Sequence, residues 1–437
     1  MKKTISLFIG IMGTIFVLFA SCGKDDKNVM DPFSNGSNER NMIVVISDIH
    51  LGADLAYTEC KENLKPLENF LNKVSASANV KELVIAGDLL DEWFVPAYVD
   101  TYHGKDQQDF VQRIATNNKS VIDAFNKIIQ EGKILVTYVP GNHDLTITPE
   151  NIEMILPGIN QVRDAELGLG TYSPTGFPLL AVEHGHRYNF YCAPDPFSNQ
   201  DIAPGTIMPP GYFFTRIGAL YVDQGYPTTG ETPPLVIPNT PGNLHQSLMY
   251  EYWKSWARTL NMFKINNAFD EKMIVTNVDG FTEKYAVNDV LPFQTTSGGT
   301  IEVNLYDNIV DTWDARQMRN HVAVHISTDH AIANVGSAVE TDSLAYTQYF
   351  ANPTSDKRLV VFGHSHVPQI IAYTNPQGLK CIYANSGTWI DHNPNRTTRH
   401  FIVINPQQSD AASQTEVKLY NAEGETYIQM SEDAVRF

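Results

Sequence analysis

Residues 43–50 read IVVISDIH, a β-branched apolar run that breaks into an acid and a histidine two positions apart. Ile43 to Ile46, with Ile49 beyond, suit a strand covered on both faces, as in the interior of an α/β sheet. Polar groups at the mouth of such a strand need a use, and in open α/β sheets ligands collect at the carboxyl ends of the strands. Asp48 and His50 therefore mark a candidate site. Taken alone, DxH also fits an ordinary turn, because Asp tolerates turn geometry.

Downstream, apolar runs alternate with helical patterns: LVIAG follows a helix over 61–75, and ILVTYVPG follows one over 107–131. The alternation predicts βαβ units and a parallel or mixed sheet, hence an α/β (α+β) fold. LLAVEHG at 179–185 reads as a further strand, and strand patterns resume in RLVVFGH, KCIYANSG, HFIVIN and TEVKLYN. Between them the chain is rich in Pro, Gly, Tyr and Asn, with one clear helix in LHQSLMYEYWKSWARTLNMFK. This stretch, about residues 190–357, is expected to be a long cap inserted over the sheet. Its aromatic clusters, GYFFTRIGALY and YEYWKSW, suit a core or a bound sugar or lipid.

The amino terminus has the anatomy of an export signal over residues 1–21: MKK, the apolar ISLFIGIMGTIFVLFA, then Ala20 and Ser21 before Cys22. Its apolar stretch is shorter than the ~20 residues a membrane span needs. FASC resembles the lipobox of bacterial lipoproteins. That resemblance implies a lipidated Cys22, a membrane anchor through it, and an outer-membrane location facing the periplasm or the cell surface. Residues 22–41 are polar and turn-rich and are expected to be a flexible tether, leaving 42–437 as the folded domain. Cys60, Cys192 and Cys381 then remain, enough for one disulfide at most.

With 43% hydrophobic and 18% charged residues the chain is globular and not disordered. Its net charge of −18 argues against nucleic acid as a partner, since affinity for polyphosphate rests on Lys and Arg. An anionic substrate would need a local reversal of that field, which a bound divalent metal supplies.

Four more strand ends repeat the opening pattern. LVIAGDLLDEW carries Asp88 and Asp91, VTYVPGNHD carries Asn142, His143 and Asp144, LLAVEHGH carries His184 and His186, and RLVVFGHSH carries His364 and His366. Each has a bland account as a turn, but folding does not require imidazoles at every strand mouth. Together they offer only oxygen and nitrogen donors, which suit Mn, Fe or Zn and exclude a thiolate site.

As an ordered set, DxH, GDxxD, GNHD, a histidine followed by glycine, and GHxH, these residues resemble the calcineurin-like metallophosphoesterase family. The resemblance covers residues 42 to about 190 and 358 to 390, including YANSGTW. It implies a four-layer αββα sandwich, two mixed β-sheets flanked by helices, with the site in the strand-end loops. It also implies two divalent metal ions. Asp48, His50 and His366 would hold one, Asn142, His184 and His364 the other, and Asp88 would bridge both.

His143, next to Asn142 in the same tight turn, has the near-neutral pKa of a general acid, with Asp144 to orient its ring. Asp91 is expected to tie down the loop of Asp88, His186 to contact substrate or support a ligand, and Asn385 to lie in a turn near the site. The activity implied is hydrolysis of a phosphate mono- or diester by a hydroxide bridging the metals. The substrate would be a phosphorylated small molecule, lipid or glycan. The alternative is a surface binding lipoprotein whose metal centre is structural, but such a centre has no need of an acid beside it.

Overall fold

In the computed structural model, which describes residues 31–407 and 413–437, β1 (Met42–Ile46) is buried along its whole length and its two faces feed different cores. Val44 and Ile46 join a large cluster with Leu67, Phe70 and Leu71, whereas Ile43 and Val45 join a second with Val182, Leu359 and Ile382. Side chains alternate across a strand, so a strand between two cores is apolar throughout.

The first half of the chain adds β2 (Val80–Ala86), β3 (Leu135–Val139), β4 (Asn160–Gln161) and β5 (Leu180–Val182). The inserted segment contributes only the small pair β6 (Ile274–Val275) and β7 (Lys284–Tyr285). The remainder supplies β8 (Leu359–Phe362), β9 (Gln369–Thr374), β10 (Lys380–Asn385), β11 (His400–Asn405), β12 (Thr415–Glu423) and β13 (Thr426–Val435).

A seven-stranded sheet runs β13-β12-β11-β1-β2-β3-β4, with β1 to β4 parallel and β11, β12 and β13 antiparallel. A four-stranded sheet runs β5-β8-β10-β9, parallel except for β9. The second core lies between the two sheets and takes residues from both. Helices Leu64–Ala76, Gln107–Asn117 and Lys119–Glu131 pack on the outer face of the larger sheet. The outer face of the smaller sheet is covered by the inserted segment, where Tyr349 packs against Phe362 and Phe350 against Tyr373. The mixed α/β architecture of two mixed sheets flanked by helices is therefore as expected.

Two details differ from the sequence reading, and one alternative that it left open is decided. The helix expected over 107–131 is two helices, broken at Asn118, whose side-chain amide donates to Ile114 O and to Gly52 O, both at 2.9 Å. A side chain that satisfies backbone carbonyls offers the chain an alternative to continuing the helix. Part of the expected tether is packed: Phe33 is 2% exposed and sits among Phe70, Phe401 and Tyr427 with ring centroids 5.2–5.6 Å away. The aromatic clusters of the insertion build core, with Tyr212, Phe213, Tyr252 and Trp256 fully buried.

Cys60, Cys192 and Cys381 are free thiols. The expected export signal and Cys22 lie outside the described residues. Among the described residues no helix is long and apolar enough to cross a membrane.

Candidate metal centre

The loops after β1, β2, β3, β5 and β8 meet at one end of the sheets. Asp48, His50, Asp88, His364 and His366 all adopt left-handed backbone, with φ between 52° and 65°. For residues other than glycine this costs about 1 kcal/mol or more each and persists only where the surroundings enforce it. Here the loops enforce one another: Asp48 N–H donates to Gly87 O, and the N–H groups of Ile49 and His50 both donate to Asp88 O. The motif glycines permit the close approach. A Cβ on Gly141 would lie 2.1 Å from Asp88 Oδ1, and one on Gly87 would lie 2.4 Å from His184 Nδ1.

Every residue expected as a ligand arrives in the cluster. His366 Nε2 is 3.1 Å from Asp48 Oδ1, and Asp48, His50 and His366 offer donor atoms within 4.8 Å of one another. Asn142 Oδ1 sits 3.1 Å from His184 Nε2 and 2.8 Å from His364 Nδ1. Asp88 Oδ2 faces both groups, 3.0 Å from His184 Nε2 and 3.6 Å from His50 Nε2. His143 N–H holds the other oxygen, Asp88 Oδ1, at 2.8 Å.

The donor chemistry fits divalent metal ions. His50 Nδ1 donates to Asp91 Oδ2 at 3.0 Å, which leaves the buried Nε2 as the atom available to a metal ion, and that atom has no hydrogen-bond partner. His184 Nδ1 donates to Ala86 O at 2.8 Å, which aims its Nε2 at Asp88 and Asn142. Burial opposes charge on His184, but Asp88 and Asp48 outweigh it and push its pKa up to about 9. For His364, burial and the neighbouring His184 push the pKa down to about 3. A proton on His184 thus offsets part of the charge of Asp48 and Asp88 in the metal-free protein, and a metal ion would displace it, since ligand imidazoles must be neutral.

The roles expected of Asp91 and Asp144 are exchanged. Asp144 does not reach the His143 ring: its Oδ2 accepts from the N–H groups of Leu89 and Leu90, and its Oδ1 from Gly141 N–H at 2.7 Å. It therefore ties down the Asp88 loop. Asp91 is the residue that orients the His143 ring, with Oδ1 2.8 Å from His143 Nδ1 while Oδ2 holds His50. The contact joins the loops after β2 and β3, neighbours in the sheet and not in sequence. His143 lies between His50 and the Trp93 ring, whose centroids are 4.4 Å and 4.9 Å away, and its side chain is 13% exposed.

His186 is 2% exposed, its Nε2 donating to Gly168 O at 2.9 Å and its ring 5.3 Å from His184. It stands beside the ligands and does not open to solvent. Asn385, expected in a turn, braces the last loop by donating to Gly363 O at 2.7 Å.

Sequence reasoning missed Trp93, Glu59 and Asp342. Glu59 Oε2 lies 3.4 Å from His50 Nδ1, and Asp342 bonds to Ser365. Trp93 follows GDLLDE directly and was within reach; the other two stand in no motif. A cleft of about 590 Å³, lined by Asp164, Arg187, Tyr188, His321 and Lys357 among others, includes no expected ligand. Its guanidinium is already engaged by Glu183 and Asp164, so the donor set and not cavity size locates the site.

A search of curated proteins found no match. A family model described as calcineurin-like phosphoesterase matches residues 42–217, short of His364 and His366, which the fold itself brings to the cluster. The strand-end donors, the two mixed sheets and this match agree on a calcineurin-like phosphoesterase domain, matched over residues 42–217.

Proposed function

We propose that the protein hydrolyses a phosphate mono- or diester at a centre of two divalent metal ions, as an exported enzyme anchored through Cys22. The observation that carries this reading is the gathering of seven side chains with oxygen and nitrogen donors, Asp88 in the middle of them, with a partnered, part-exposed His143 beside them. When bound, the two ions would supply Lewis acidity, drawing charge from the phosphoryl oxygens and making water acidic enough to attack.

The chain's own residues do the rest. Burial opposes charge on His143, but Asp91 outweighs it and holds its pKa above the usual value. The imidazolium keeps its Nδ1 proton on Asp91 and gives its Nε2 proton to the departing oxygen. Only Asp48 and Asp88 among the seven ligands are anionic. A centre with two divalent ions therefore stays positive and attracts an anion to an acidic protein. The substrate class is a phosphorylated small molecule, lipid or glycan within reach of the outer membrane. The anchoring and the location rest on the residues around Cys22 alone.

The test is turnover of p-nitrophenyl phosphate and bis-p-nitrophenyl phosphate by the full chain, metal-depleted and then resupplied with Mn, Fe or Zn. Metal-dependent hydrolysis of either is expected, and the better substrate separates monoesterase from diesterase. No turnover with two metals bound would favour the binding lipoprotein with a structural centre.

A further inference from the structure

Asp342, on the helix Ala338–Ala345 of the inserted segment, is 1% exposed and turned toward the loops of the smaller sheet. Ser365 Oγ donates to its carboxylate, 2.9 Å from Oδ1 and 3.0 Å from Oδ2, and Asn385 Nδ2 donates at 3.1 Å. The Tyr383 hydroxyl and the Gln369 amide donate as well. Four donors from four places on β9, β10 and the loop after β8 thus close on one acid.

Ser365 separates His364 from His366, and both histidines are in left-handed backbone, with φ of 65° and 57°. A loop with two such residues must be held from outside. Asp48 and Asn142 hold His364 from the metal side, and Asn393 Nδ2 holds His366 O at 2.9 Å. Asp342 holds the middle, directly through Ser365 and again through Asn385, which bonds both Ser365 Oγ and Gly363 O. The same segment also reaches the strand before His184, where the Tyr349 hydroxyl donates to Glu183 Oε1 at 2.7 Å.

We propose that Asp342 is a positioning residue for the metal centre: through Ser365 and Asn385 it aims His364 and His366, so the inserted segment completes the ligand set. The inference rests on the proposed two-metal reading. Removing partners that orient metal ligands typically weakens metal affinity 10–100-fold.

The experiment titrates the full metal-free chain with Mn²⁺ alone by calorimetry, alongside Asp342→Asn, Ser365→Ala and the double variant. Circular dichroism and melting temperature of the apo proteins report folding. The wild type should take up two Mn²⁺, and each folded single variant should bind them about tenfold or more weakly. The double variant should be no worse than the weaker single, because the link through Ser365 is common to both changes. Affinity within about twofold of wild type in a folded Asp342→Asn protein, or losses that multiply in the double variant, would overturn the proposal. If Asp342→Asn does not fold, Ser365→Ala decides alone by the same criterion. A wild type that binds neither Mn²⁺ nor, in the same titration, Zn²⁺ or Fe²⁺ would remove the proposed function as well, whereas tight binding by wild type and variants alike removes only this inference.

Discussion

Asp91 holds two imidazoles at once, His143 through Oδ1 and His50 through Oδ2, so its loss must be felt by the proposed acid and by a proposed metal ligand together. Asp91→Asn is predicted to lower kcat and weaken metal binding in parallel. His143→Ala should keep both metals and lose about 10²–10⁴ in kcat, most with alkyl leaving groups that need a proton. Steady-state kinetics with paired aryl and alkyl phosphates, plus metal content by mass spectrometry, separates the two; full activity of His143→Ala on an alkyl phosphate would refute the acid. At this scale the sequence was legible where chemistry and spacing coincide. Asp48, His50, Asp88, Asn142, His184, His364 and His366 each follow an apolar run, and all reach the cluster. What it could not tell was which acid serves which histidine. Asp144 adjoins His143 in the chain, yet its oxygens are spent on backbone N–H groups, and Asp91 comes from the next loop in space.

The loop after β2 carries Asp88, Asp91, Glu92 and Trp93, and it joins the site to its support. Glu92 is fully buried and takes hydrogen bonds from the Tyr102 and Thr146 hydroxyls and from Gln107 Nε2 at 3.2 Å. Burial pushes its pKa up, from 4.5 to about 7. A carboxyl with a raised folded-state pKa contributes stability that is fully present below about pH 4.5 and lost as the pH rises through about 7. The shift corresponds to about 3 kcal/mol. Urea midpoints measured at pH 5 and pH 8 should therefore differ less in Glu92→Gln than in wild type; an unchanged difference would show that Glu92 is ionised without cost. Elements were legible where one period ran uninterrupted, as in β1, β2 and β3. The break at Asn118 was hidden because the carbonyl that draws its amide, Gly52 O, is 66 residues away.

Over the whole molecule, one hydrophobic cluster runs from the helices behind the larger sheet into the inserted segment. The insertion is therefore a packing partner of the domain as well as a cover. Phe33 extends that core beyond the sheet's first strand, and Phe33→Ala is predicted to cost about 3 kcal/mol by thermal or urea unfolding while leaving metal binding intact. A cost near zero would mean that the segment before β1 is dispensable. Composition concealed this contact, since a single Phe in a polar stretch reads as linker. It concealed the work of the insertion too, because Asp342 sits in a helix without a motif.

The two-metal centre is the claim on which the rest depends, and an anomalous difference map from crystals grown with Mn²⁺ tests it most directly. Two peaks about 3.5–4 Å apart, astride Asp88, are predicted. One should lie among Asp48, His50 and His366, the other among Asn142, His184 and His364. A single peak, or manganese elsewhere while these side chains keep only one another as partners, would contradict it.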